Sequence, residues 1–131
     1  MADAESNFVA VERLKTYIEM EQEAPWVVPN EDVPENWPDK GEIVFQDLEV
    51  RYNANLKPVL KGITFTAHSG HMIGIVGRTG AGKSSLTLSL FRIIEAYRGQ
   101  ILIDGVDISK IGLHTLRGRL TIIPQVSLVE R

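Results

Sequence analysis

The residues best suited to chemistry form one run, Gly77-Arg78-Thr79-Gly80-Ala81-Gly82-Lys83-Ser84. It fits the spacing of a phosphate-binding loop, a glycine, four residues, then Gly-Lys-Ser/Thr. Gly77, Gly80 and Gly82 permit backbone dihedrals and close approaches that a side chain would block. Successive N–H groups can then turn inward around phosphate oxygens. A helix opening at Gly82–Lys83 aims its unsatisfied donors and positive dipole end at the same anion. Lys83 adds a point charge for the β- and γ-phosphates, and the Ser84 hydroxyl can ligate Mg²⁺. A glycine-rich turn without a ligand would leave the lysine ammonium unpartnered. The expected chemistry is binding of a nucleotide phosphate chain.

Hydrolysis asks for more: a second carboxylate for the metal's water shell and a group that orients the attacking water. Ile101-Leu102-Ile103-Asp104 has the outline of an apolar run ended by a carboxylate. However, Asp104-Gly105 is a hairpin-turn signal, and no glutamate follows the aspartate. Asp107 reads as solvated or as turn chemistry. His68, His71 and His114 are isolated and read as surface or half-buried residues. With no cysteine, disulfides, thiol catalysis and Cys-based zinc sites are excluded.

The loop must be held by a strand before it and a helix after it. Met72-Ile73-Gly74-Ile75-Val76 is apolar without alternation, which predicts a strand buried on both faces. Leu86, Leu90, Phe91 and Ile94 trace a helix expected to end near Gly99. Upstream, Ile43 and Phe45 alternate, and Leu48, Val50 and Tyr52 resume one residue out of phase, which predicts a strand with a bulge near Asp47. Ile63, Phe65 and Ala67 give a second alternating strand. Gln100–Asp104 and Val106–Ile108 predict a hairpin. Leu113–Arg119 predicts a short helix, and Leu120–Ile123 a last buried strand.

Two stretches precede this region. In residues 1–23, Phe8, Val11, Leu14 and Ile18 recur at helical spacing with Tyr17 beside them. This pattern suits either a helix packed on its own domain or the extension of a helix from a preceding one. Residues 24–41 read as a linker, because Pro25, Pro29, Pro34 and Pro38, four of the six prolines, lie among Glu31, Asp32, Glu35 and Asp39. Trp26 and Trp37 are expected to anchor it.

The 131 residues carry a net charge of -3, split as -8 over residues 1–42 and +5 over residues 43–131. The second part suits an anionic ligand. Its basic residues are scattered without aromatic interleaving, which argues against nucleic acid as a partner. No apolar run approaches the ~20 residues of a membrane-spanning helix.

Residues Ile73–Leu90, with Leu90-Phe91-Arg92-Ile93, Ile103-Asp104-Gly105, Ile111–His114, Leu116-Arg117 and Thr121–Gln125, resemble the second nucleotide-binding domain of ABC transporters. The similar subfamily is the C type, the multidrug-resistance-associated exporters. Val11–Leu14, Glu23–Trp26 and Trp37-Pro38 resemble the segment that joins the last transmembrane helix to that domain. The fold implied is α/β, a partial P-loop NTPase (ABC ATPase) domain with an antiparallel β subdomain, preceded by an amphipathic helix and a Pro-rich linker. Residues 1–23 would continue a transmembrane helix, 42–125 would form the N-terminal half of the domain, and 126–131 would be a divergent tail.

The resemblance also implies roles. Tyr52 matches the aromatic that stacks on adenine. Gly77, Arg78, Thr79, Gly80, Ala81, Gly82, Lys83, Ser84 and Ser85 match the Walker A phosphate site. Gln125 matches the Q-loop glutamine, which with Ser84 serves the Mg²⁺ site and senses the transmembrane domain. The implied cofactors are ATP and Mg²⁺. The implied partners are the transmembrane domains and the opposing nucleotide-binding domain, at the cytoplasmic face of a membrane. In the family, Pro-Gln is followed by a helical subdomain, the signature motif, Walker B carboxylates and a switch histidine, whereas here Val126–Arg131 closes the sequence. The expectation is an incomplete copy or truncated product, cytosolic if alone, that binds ATP without hydrolysing it. A short soluble module that regulates a full-length transporter is the alternative. A GTPase or small-molecule kinase using Asp104 fits less well, because no Asn-Lys-x-Asp tetrapeptide is present.

Overall fold

The computed structural model describes residues 2–20 and 22–123, with side chains from Phe8 onward. Its elements are α1 (Ala2–Ile18), β1 (Ile43–Val50), β2 (Leu60–Ala67), α2 (Lys83–Leu90), β3 (Ala96–Ile103), β4 (Val106–Asp107), a 3₁₀ turn at Ile108–Lys110, and α3 (Leu113–Arg117). No helix among the described residues is long and apolar enough to cross a membrane. Helices and an antiparallel β subdomain are therefore both present, as the fold class requires.

The four strands form one antiparallel sheet in the order β2-β1-β3-β4. The phase change read in β1 is a bulge. Asp47 takes a left-handed φ of 47°, and the pairing with both neighbours slips between residues 45 and 50. The slip lets Phe45, Leu48 and Val50 all enter the core. Across it, Gly99 has φ 76°, and a Cβ there would collide with the Gln46 and Asp47 carbonyls. Only glycine permits that approach. Phe45 pairs with Phe65 across the strands, their rings stacked at 4.5 Å. The core joins these residues to Trp37, Leu60, Leu86, Ile101, Ile103, Ile108, Ile111 and Leu116.

The linker is a strap fastened to the sheet and to α3. Trp37 is 3% exposed, and its indole N–H donates to the Ile103 carbonyl at 2.7 Å. Asp104 sits at the β3–β4 turn with φ 48°. Its carboxylate accepts the backbone N–H groups of Asp39, Lys40, Gly41 and Glu42 at 2.8–3.0 Å. Burial pushes the Asp104 carboxyl up, but these donors outweigh it and hold it below its ordinary pKa. At the start of α3, Leu113 and His114 donate their N–H groups to the Pro25 and Trp26 carbonyls, and Gly112 donates to Glu31 Oε1. Glu23 pairs with Arg117 at 3.0 Å. Trp37 thus anchors the strap from within the core. Trp26 remains exposed and rests against His114, ring centroids 5.5 Å apart.

Three expectations are corrected. Met72–Val76 is not a buried strand: it has no strand partner among the described residues, and Met72 and Val76 are 98% and 96% exposed. Leu120–Ile123 is likewise not a strand, with Ile122 and Ile123 exposed. A strand buried on both faces needs a sheet to join and a layer over each face, and neither segment pairs with the described sheet. The helix after the loop ends at Leu90 rather than near Gly99. Arg92 turns the chain with φ 51°, and its buried guanidinium donates to the Ile108 and Ile111 carbonyls. Residues from Ala96 then pair with β1 as β3. The stripe of α1 is also open, with Phe8, Val11, Leu14, Tyr17 and Ile18 all exposed.

Candidate nucleotide site

The Gly77–Ser84 run forms a loop that leads into α2. Ala81 N–H closes a turn on the Arg78 carbonyl at 3.1 Å. Gly80 and Gly82 take φ of 81° and 89°, so both use the left-handed region that glycine tolerates. Close packing adds a second constraint. A Cβ on Gly77 would stand 3.3 Å from Ala81 Cβ, and one on Gly82 would meet the Leu60 side chain at 2.9 Å. Gly82 is the N-cap of α2, which has no side-chain cap and no acidic residue in its first turn. The first-turn N–H groups of a helix have no partner within it, and they carry its positive dipole end. Contrary to the expectation of an unpartnered ammonium, Lys83 Nζ donates to the Gly77 and Arg78 carbonyls at 2.6 and 2.8 Å, so its charge is folded back onto the loop's own rim.

Beside the loop lies a cleft of about 500 Å³, lined by Tyr52, Val59, Thr79, Gly80, Gly82, Lys83, Ser84 and Ser85. Ligand pockets span ~300–1,000 Å³. The structure therefore brings Tyr52 to the loop from the far end of β1, across 33 residues of sequence. The Tyr52 and Ser85 hydroxyls share a hydrogen bond of 3.0 Å. Gly77, Arg78 and Ala81 lie in the loop but do not line the cleft. Gln125 lies outside the described residues. Asp104, the carboxylate weighed as a metal ligand, is taken up at the β3–β4 turn by the backbone N–H groups of residues 39–42. Histidines 68 and 71 stack edge-on at 5.7 Å away from the cleft, and His68 Nδ1 lies 3.1 Å from Glu42.

The donor set fits a magnesium nucleotide. The cleft has an ammonium, a helix N-terminus without a side-chain cap and hydroxyls from Thr79, Ser84 and Ser85. No carboxylate among its described lining residues opposes an anion. Sequence reasoning missed Val59, whose side chain packs 3.3 Å from where a Gly82 Cβ would stand. An apolar residue beside a proline gave no signal for it.

The ABC transporter family model matches residues 60–131. ATP-binding cassette sub-family C member 3 of Homo sapiens is 57% identical over 125 residues, 95% of this chain and 8% of that protein. ATP-binding cassette sub-family C member 2 of Mus musculus is 59% identical over 124 residues, again 95% of this chain and 8% of that protein. The chain thus spans about a twelfth of the length of these relatives. A solved structure, a bacterial Atm1-family ABC exporter with ATP bound, superposes with a TM-score of 0.76 at 31% identity, covering 92% of this chain and 21% of that one. With the family match extending over more than half of its residues, the chain belongs to the ABC transporter family, as part of that family's ATP-binding domain.

Proposed function

We propose that the chain binds ATP with Mg²⁺ in the cleft between Tyr52 and the Gly77–Ser84 loop, as part of an exporter that couples ATP binding and hydrolysis to substrate efflux. The observation that carries the reading is the meeting of Tyr52 with the loop across one cleft. In this assignment the Tyr52 ring receives the adenine. The amides of Gly77–Ser84 and the start of α2 receive the phosphates. Lys83 exchanges its carbonyl partners for phosphate oxygens, which charge assistance favours. Ser84 offers a hydroxyl to Mg²⁺, which would offset phosphate charge, and Gln125 keeps the metal role implied by the family resemblance. Ser85 lines the same cleft.

Residues 42–125 are assigned to the N-terminal half of the nucleotide-binding domain, with residues 24–41 as the strap leading into it. Residues 1–23 are assigned to a helix continuing from a transmembrane helix, whose open apolar stripe suits such a setting. The domain would lie at the cytoplasmic face of the membrane, against transmembrane domains and an opposing nucleotide-binding domain.

The 131-residue chain alone is assigned ATP binding without turnover. In support, the described cleft lining has no carboxylate or imidazole to orient an attacking water. Calorimetric titration with Mg-ATP should show binding that Lys83→Ala weakens, and a phosphate-release assay should stay at background. Turnover abolished by Lys83→Ala would overturn the non-hydrolytic assignment, and absence of ATP binding would overturn the whole reading.

A further inference from the structure

A buried hydroxyl is kept by the partner it finds. Ser85 is 4% exposed at the start of α2, while Tyr52 is 55% exposed at the rim of the cleft, and their hydroxyls meet at 3.0 Å. The backbone on either side of Tyr52 is fixed independently. Val50, fully buried, accepts the Val59 N–H at 2.8 Å, which closes the loop that carries Tyr52. The Arg51 guanidinium lies 3.3 Å from the centroid of the Tyr97 ring and donates to the Ala54 carbonyl at 2.9 Å. The bond to Ser85 ties the far end of the Tyr52 side chain to the helix that opens the phosphate site.

We infer that Ser85 is a positioning residue for the nucleobase: its hydroxyl holds the Tyr52 ring at the wall of the cleft, so that the aromatic platform and the phosphate cradle keep a fixed separation. The inference rests on the ATP reading above. It assigns the Tyr52 hydroxyl a part in binding that stacking alone does not require. A ring held before the ligand arrives need not be ordered on binding, and preorganisation of that kind raises affinity.

The test uses the 131-residue chain, titrated with Mg-ATP and with magnesium tripolyphosphate, which has no base. Tyr52→Phe keeps the ring and removes one oxygen atom. It is expected to weaken ATP binding about three- to tenfold, the scale of one lost hydrogen bond. Ser85→Ala, which also removes a hydroxyl from the phosphate cleft, is expected to weaken ATP at least as much, with the double variant no weaker than Ser85→Ala alone. Both single variants should lose affinity for ATP relative to tripolyphosphate, and Ser85→Thr should restore it. The inference is overturned if Tyr52→Phe binds ATP as tightly as the unaltered chain or more tightly. Losses that multiply in the double variant, or tripolyphosphate weakened as much as ATP by Ser85→Ala, would overturn it too, because Ser85 would then act on the phosphates alone. An unaltered chain that binds neither ligand overturns the ATP reading and this inference together. Should Ser85→Ala fail to fold, Tyr52→Phe decides alone.

Discussion

The strap side and the loop side of the molecule are built on opposite terms. On the strap side, a buried indole, a carboxylate with four backbone donors and the first N–H groups of α3 all find partners within the chain. On the loop side, α2 opens without a side-chain cap, and Met72–Val76 lies exposed along an apolar groove bordered by Ile63, Phe65 and Leu86. One region closes on itself. The other leaves the first donors of α2 without a side-chain cap, which is what an anion site requires. Stability should therefore respond to the strap and affinity to the loop.

The sharpest break in that comparison is Trp37→Ala. Removing a buried aromatic side chain costs about 3–5 kcal/mol, and denaturant unfolding should show that loss in its midpoint. Next, Lys83→Ala should lower ATP affinity by about ten- to a hundredfold, as expected for a lost hydrogen bond to a charged group, with little change in the unfolding midpoint. If Lys83→Ala unfolded the chain as Trp37→Ala does, the division between the regions would fail.

Asp104→Asn tests the strap's charge and should cost about 1–2 kcal/mol at neutral pH. The sign of its pH dependence follows from the depressed carboxyl. Asp104 binds fewer protons folded than unfolded, so its contribution is present above the unfolded carboxylate pKa and is lost as pH falls through the lower folded value. The gap between the wild-type and Asp104→Asn midpoints should narrow over that acid range. The smallest effect belongs to Glu23→Gln. The Arg117 guanidinium beside Glu23 holds its carboxyl below the usual value, but an ion pair at the surface contributes little. The unfolding midpoint should be indistinguishable from wild type, and a clear loss would mean the strap is tighter than its exposed end suggests.

What the sequence revealed divides along the same line. The phosphate loop, the Asp47 bulge and the Asp104-Gly105 hairpin were legible because each is a local signal: glycines at fixed spacing, a phase slip, a turn dipeptide. The strap was legible as prolines and as the Trp37 anchor, but not in its other fastenings. Among these are backbone groups of Asp39–Glu42 meeting a side chain about 65 residues away, and backbone donors leave no mark in composition. Met72–Val76 was misread for a different reason. An apolar run reports what a segment is suited to, not whether a neighbouring strand is there to receive it. Tyr52 entered through family resemblance rather than through its own spacing, and the serine that meets it stood only as one member of the Walker A run.

The lysine at the loop's rim has one further consequence, for the timing of binding. A free lysine side chain samples many rotamers, and fixing it costs on the order of 1.5–2 kcal/mol. Here two carbonyls already hold the ammonium at Gly77 and Arg78, so that ordering is completed while the protein folds. On the ATP reading proposed above, an incoming phosphate would find the cation in place and have only to displace two neutral acceptors. Capture then becomes an exchange of partners, without a search by the side chain.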